Sequence, residues 1–124
     1  MSLARTLPAV KKTVEGEPSW DVEKRSRSRI VVTFRGQVGP EIGRESALRF
    51  LELMGSREVH LVFDVQGVGG YSNRARKHWQ SALWPRRKQI ASLTVASSSQ
   101  LTKMGATMFG AFLGVPCHIV DRID

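Results

Sequence analysis

The sequence has a single cysteine, Cys117, so no disulfide can close within the chain and no thiolate cluster can hold zinc. No stretch approaches the ~20 consecutive apolar residues of a membrane span. The start, Met1-Ser2-Leu3-Ala4-Arg5, lacks the apolar centre of a secretion leader. Acids are scarce: 11 Asp and Glu against 19 Lys and Arg leave a formal charge of +8. Internal repeats and low-complexity segments are missing as well. A lone thiol without a leader or a span implies a reducing, cytoplasmic setting.

What remains is an ordinary globular balance, 41% hydrophobic and 24% charged over 124 residues. That length suits one domain, which buries roughly two-thirds of the unfolded chain's surface without a covalent staple. Residues 1–17 hold Pro8 and Gly16 with little periodicity, and are expected to form an irregular leader to a domain spanning 18–124. The excess of positive charge permits attraction to nucleic acid, anionic lipid or an acidic protein surface.

Periodicity predicts alternating elements. Trp20-Asp21-Val22-Glu23 reads as an edge strand, followed by a polar turn at Ser26-Arg27-Ser28 and a β-branched strand over 30–34. After Gly36–Gly39, Pro40 suits the first turn of a helix whose apolar stripe is Ile42, Ala47, Leu48, Leu51 and Met54, ending at Gly55. Residues 59–65 are nearly continuously apolar, as in a strand covered on both faces. A glycine-rich turn over 66–71 leads to Ser72 as N-cap of a second helix, with Ala75, Trp79, Ala82 and Leu83 inward and Pro85 near its end. A strand over 90–95 precedes a helix from about Gln100 to Leu113. For this helix the inward stripe is expected to be Leu101, Met104, Met108 and Phe112, and close packing must offset the ~1 kcal/mol cost of each of Gly105 and Gly110. Val115–Val120 closes the chain as a strand. The order is β-β-α-β-α-β-α-β, an α/β fold with a mixed sheet of about five strands and helices packed on it.

That order, with Leu61-Val62-Phe63-Asp64-Val65-Gln66-Gly67-Val68, resembles the sulphate-transporter and anti-sigma-factor-antagonist (STAS) family and its SpoIIAA-like relatives. The family has an apolar strand ending in an Asp-apolar-x-x-apolar turn, then a helix whose first residues carry a phosphorylated serine. The resemblance implies a non-catalytic, bacterial-type regulatory module that engages a protein partner. Ser72 falls within a residue of the phosphorylated position, although Tyr71-Ser72-Asn73-Arg74 departs from the family's Asp-Ser-Ser/Thr-Gly.

Ligands of parallel sheets gather at the carboxyl ends of strands. Three loops are expected there, over 35–40, 66–73 and 97–100, and the candidate binding residues are Asp64, Gly67, Gly70, Tyr71, Ser72, Asn73, Arg74, Arg76, Ser98 and Ser99. Ser72 has two readings: an N-cap, or a phosphosite beside Arg74 and Arg76. Gly67-Val68-Gly69-Gly70 lacks the lysine and the spacing of a phosphate loop. Arg74, Arg76, Lys77, Arg86, Arg87 and Lys88 form the densest basic region, a solvated face or a dock for an acidic partner, and Arg76 and Lys77 are expected to face solvent. Nucleic acid is disfavoured because Trp79 and Trp84 are expected to point inward rather than interleave with the cations. His60, His78 and His118 have no ligand-spaced partners, so neither a metal nor another cofactor is implied, and no catalytic constellation emerges. The apolar helix over 100–113 also allows a homodimer face or a cavity for a small apolar or lipid ligand, which makes a carrier the alternative function and a basic nucleic-acid binder a further one.

Overall fold

The computed structural model describes residues 17–123. The strands β1 (Ser19–Ser26), β2 (Arg29–Val38), β3 (Val59–Tyr71), β4 (Ile90–Ala96) and β5 (Cys117–Val120) form one sheet in the order β1-β2-β3-β4-β5. β1 pairs antiparallel with β2, and every later pair is parallel. The helices α1 (Pro40–Met54), α2 (Asn73–Leu83) and α3 (Gln100–Leu113) are the three crossovers, and a 3₁₀ segment over Trp84–Gln89 follows α2. The expected α/β architecture and its mixed five-stranded sheet are therefore observed. The expected leader lies, apart from Glu17, outside the described residues.

Strand order equal to chain order has a geometric consequence. Right-handed crossovers that all advance in one direction place every helix on the same face of the sheet. The core shows this: Ile30, Val32 and Phe34 of β2, Leu61 and Phe63 of β3, and Leu93 and Val95 of β4 join Phe50 of α1, Trp79 of α2 and Phe109 of α3 in one cluster. β3 was expected to be covered on both faces; helices cover one. On the other face Val31 and Val62 are buried outside that cluster, among Thr33, Asp64 and Thr94 on neighbouring strands.

Trp79 occupies the centre. Its ring meets Phe63 edge-on with centroids 4.9 Å apart, and Phe50 and Phe34 lie at 5.6 and 6.4 Å. Its Nε1–H donates to Ser46 Oγ at 3.0 Å, and that hydroxyl in turn donates to the Ile42 carbonyl at 2.6 Å. Both polar groups are thus satisfied where an unpaired one would cost ~1–3 kcal/mol. The three ion pairs among the described residues, Arg25–Glu23, Arg49–Glu52 and Lys103–Asp121, each have at least one well-exposed partner and contribute little.

α1 keeps most of its expected stripe, with Ala47 and Met54 buried and Ile42 and Leu51 packed against the core, while α3 turns a different side inward from the one expected. On α1 the buried residues are Gly43, Ser46, Ala47, Phe50 and Met54, whereas Leu48 is 54% exposed. Small residues face in because α2 packs tightly there. A Cβ on Gly43 would lie 2.6 Å from the Ala75 Cα. On α3 the buried residues are Phe109, Gly110 and Leu113, while Leu101, Met104, Met108 and Phe112 are exposed. A Cβ on Gly110 would come within 2.7 Å of the Cys117 Cβ, so the helix approaches β5 on its glycine side. That contact is the close packing needed to offset a glycine in mid-helix.

Gly43→Ala is expected to destabilise the fold by about 1–3 kcal/mol, because its methyl group meets backbone that neither helix can readily move. The measurement is urea unfolding followed by tryptophan fluorescence. Gly39→Ala, where a Cβ meets nothing within 4 Å, is the control and should shift the midpoint far less.

Candidate functional site

Two of the three expected loops are strand. β2 runs on to Val38 and β3 to Tyr71, and their ends pair with each other beyond the last contacts with β1 and β4. Arg35 faces Gly67, Gly36 faces Val68, Gln37 faces Gly70 and Val38 faces Tyr71. The result is a two-stranded parallel ribbon. Gly67, Gly69 and Gly70 read as a turn in sequence, but ladder pairing to β2 satisfies the backbone here. Two register shifts, between Thr33 and Arg35 and between Gly36 and Gln37, each put an extra residue on β3, a bulged arrangement in which strand glycines are common. No phosphate-cradling turn is formed by 67–70.

The ribbon delivers the chain to Ser72, whose N–H donates to the Val38 carbonyl at 2.9 Å. Its Oγ accepts from the Ala75 N–H at 3.0 Å, so the hydroxyl caps α2. Around it, Tyr71, Asn73, Arg74 and Lys77 are exposed. Gly67 is exposed beside the Arg35 side chain, and Gly70 lies against Gln37. Gly67, Gly70, Tyr71, Ser72, Asn73 and Arg74 therefore stand on one rim.

Asp64 does not join them. It follows Phe63 with the opposite orientation, toward the face without helices, and its Oδ1 accepts from the Gln66 backbone N–H at 3.2 Å and from Gln66 Nε2 at 3.1 Å. Ser98 and Ser99 sit at the shorter end of β4, level with Asp64, because β4 stops pairing at Ala96 while β3 continues to Tyr71. Ser99 caps α3 by accepting from Thr102, and Ser97 Oγ accepts from the Ser99 N–H at 3.0 Å.

Arg76 was expected in solvent beside Lys77. Instead its side chain lines a pocket between α2 and α3, and its Nε is buried without a hydrogen-bond partner. Helical spacing explains this: Arg76 stands one turn before Trp79 on the same side of α2. The basic region is thereby divided. Arg74 and Lys77 stay on the rim, while Arg86 donates to the Gly55 carbonyl at 2.8 Å and Arg87 to the Trp84 carbonyl at 2.7 Å.

Trp84 is not inward. It is 44% exposed, with the Arg87 guanidinium 3.9 Å from its ring centroid and Phe112 at 5.1 Å on another side. With the outer side of α3 it makes an apolar surface, formed by the residues that the sequence placed inward on a helix apolar nearly all round. Tyr71 connects this surface to the rim, since its hydroxyl leans against α3 at Gly105, 2.5 Å from where a Cβ would stand.

Cys117 Sγ lies 3.6 Å from the Ala106 carbonyl, and burial pushes its thiol pKa up. Among the described residues, no three His, Cys, Asp or Glu side chains cluster as metal ligands, and no helix is long and apolar enough to cross a membrane.

No family model matches the sequence, and no curated protein does. Solved structures do share the architecture. An uncharacterized protein of the DUF3478 family with a SpoIIAA-like fold, from Shewanella loihica PV-4, matches with a TM-score of 0.67 at 10% identity, over 91% of this chain and 92% of its own. An anti-sigma factor antagonist from Mycobacterium paratuberculosis matches with a TM-score of 0.57 at 13% identity, over 86% of this chain and 90% of its own. The fold implied by residues 61–68 is thus shown: the chain has the STAS/SpoIIAA-like fold.

Two outcomes follow from the caps and the thiol. Ser72→Ala should lower stability by about 1 kcal/mol in urea unfolding, the usual cost of losing a hydroxyl cap. Because the raised pKa keeps Cys117 protonated at neutral pH, its reaction with a disulfide reagent at pH 7.5 should be slower in the folded protein than in guanidinium, and should accelerate as pH rises.

Proposed function

We propose that this SpoIIAA-like chain is a non-catalytic regulatory module that engages a protein partner through the rim over 67–76, within a single domain spanning 18–124. The observation that carries this reading is the unbroken apolar surface beside the rim. Leu101, Met104, Met108 and Phe112 recur along the outer side of α3, with Met108 66% exposed, and Trp84 extends the surface. Exposed apolar area of this kind on a small domain marks a surface that another molecule covers. Arg74 and Lys77, exposed at the start of α2, add positive charge to the rim, so an acidic partner surface would gain in encounter rate and orientation. The fold is compatible, since one protein that shares it is an anti-sigma factor antagonist.

The ribbon suits the role because it is paired strand rather than a free loop, and so presents Tyr71 with little entropy left to lose on binding. Ser72 offers a means of control. A phosphate there would add almost two negative charges at a helix N-terminus beside Arg74, replacing a hydroxyl proton that the cap does not use, since Oγ only accepts. Partner exchange would follow from that change of charge in the middle of the rim. A cytoplasmic location fits this reading.

The test is co-purification from the source lysate with the wild type, Met108→Glu, Arg74→Glu, Ser72→Asp and Leu48→Glu. Leu48 is exposed on α1, away from the rim, and serves as the control. A partner retained by wild type and Leu48→Glu should be lost or weakened at least about tenfold by Met108→Glu and Arg74→Glu. Retention unchanged across all variants would sink the proposed surface. Light scattering on the same samples checks self-association, and a wild-type dimer that Met108→Glu dissociates would assign the α3 side to a second copy of the chain.

A further inference from the structure

We infer that the pocket between α2 and α3 is a binding site for a small amphiphilic carboxylate, held by Arg76 and by an apolar chamber that ends on Trp79. The pocket has a volume of about 110 Å³. Phe34, Val68, Trp79, Val95, Ala106 and Phe109 are among its walls, and its polar side chains are those of Tyr71, Arg76 and Thr102. These three are partly exposed while Phe34, Trp79, Val95 and Phe109 are buried, so the polar groups mark the mouth and the apolar ones the depth.

Arg76 points to the ligand's charge. A guanidinium stays protonated in proteins, and its Nε–H and Nη–H groups form a fork that matches a carboxylate bidentately. Its Nε is the single buried side-chain nitrogen or oxygen among the described residues that has no hydrogen-bond partner. Buried charges are ordinarily paired. Nothing in the surrounding elements supplies the missing anion, since β2, α2, β4 and α3 contain no Asp or Glu. The one acid of β3, Asp64, faces away from the helices and is taken up by Gln66. Among the described residues, the elements that wall the pocket leave this nitrogen without a counter-charge.

The chamber indicates what the carboxylate is attached to. A cavity of about 150 Å³ lined by aliphatic and aromatic groups accepts benzene, so this one suits a ring or a chain of roughly six carbons. Hexanoate and phenylacetate have that form. Their carboxylate would meet Arg76, with Tyr71 and Thr102 hydroxyls beside it, while the body displaces solvent from the rings below. The site is separate in mechanism from partner docking, which uses the outward sides of the rim and of α3.

The experiment titrates hexanoate and phenylacetate into the full chain, following amide and indole resonances by NMR. Acetate, hexan-1-ol and hexylamine serve as probes of head, body and charge. Saturable shifts at Trp79, Ala106 and Val68 are expected for both acids, with each of the three control probes at least about tenfold weaker. Arg76→Gln should weaken both acids at least about tenfold, and Arg76→Lys should restore part of that loss. Ala106→Phe and, independently, Val68→Phe fill the chamber and should abolish binding; the amide spectrum of each variant verifies its fold. Absence of saturable shifts in the wild type at 10 mM ligand, a concentration on the order of the weakest specific affinities, would overturn the site. So would equal affinity in Arg76→Gln, equal binding of hexylamine, or binding that survives in a folded chamber-filling variant. Partner retention by the same variants is scored separately, so the failure of one reading leaves the other standing.

Discussion

The indole of Trp79 sits where three parts of the molecule meet, and most of the geometry follows from satisfying it. The ring contacts Phe34 and Phe63 on the sheet and Phe50 on α1, and its N–H needs an acceptor in an otherwise apolar core. Ser46 provides that acceptor from α1. For the bond to reach 3.0 Å, α1 and α2 must lie close together, which Gly43 against Ala75 permits. One hydrogen bond between helices thus sets the angle and depth of α2. It also sets Arg76, one turn earlier on the same side, and so brings a guanidinium to the edge of an apolar chamber.

The one-sided sheet accounts for the position of the rim. With all helices on one face, β1 and β4 flank only the lower part of the β2–β3 pair, and the two central strands extend past them. That extension carries Ser72 past the end of β4 and separates the rim from Ser98 and Ser99. The other face keeps Asp64, His60 and Thr33 on strands alone, and His60 pairs with Ser92 across β3 and β4 at 2.7 Å.

Much of this was legible in the chain. Ser72 as a helix cap, Pro40 as the first residue of α1 and Gly55 as its end follow from local chemistry: a hydroxyl placed to accept, a fixed φ, or a residue without a Cβ. The segment from Leu61 to Val68 was sufficient to suggest the family whose fold is observed. Harder to see was the continuation of β3 through Gly67–Gly70, because its partner, the end of β2, is remote in sequence. The inward side of α3 was also misjudged, as was the position of Leu48 on α1. Large apolar side chains such as Leu48, Met104 and Met108 look like core, but where a helix approaches its neighbour at backbone distance a glycine takes the contact, and the side that carries Gly43 with Phe50, or Gly110 with Phe109 and Leu113, turns inward.

The amino-acid order therefore determined the kind of each element, its ends and the α/β succession, since these depend on residues a few positions apart. Tertiary structure alone decided which side of α3 meets the sheet, that Trp84 is outside, and that Arg76 turns into a pocket while Arg74 stays on the rim. Periodicity specifies that a helix has an apolar side; when apolar residues surround the helix, only the distance to the neighbouring backbone chooses among them. The outward apolar surface of α3 and the unpaired Arg76 Nε between α2 and α3 are the two products of that choice.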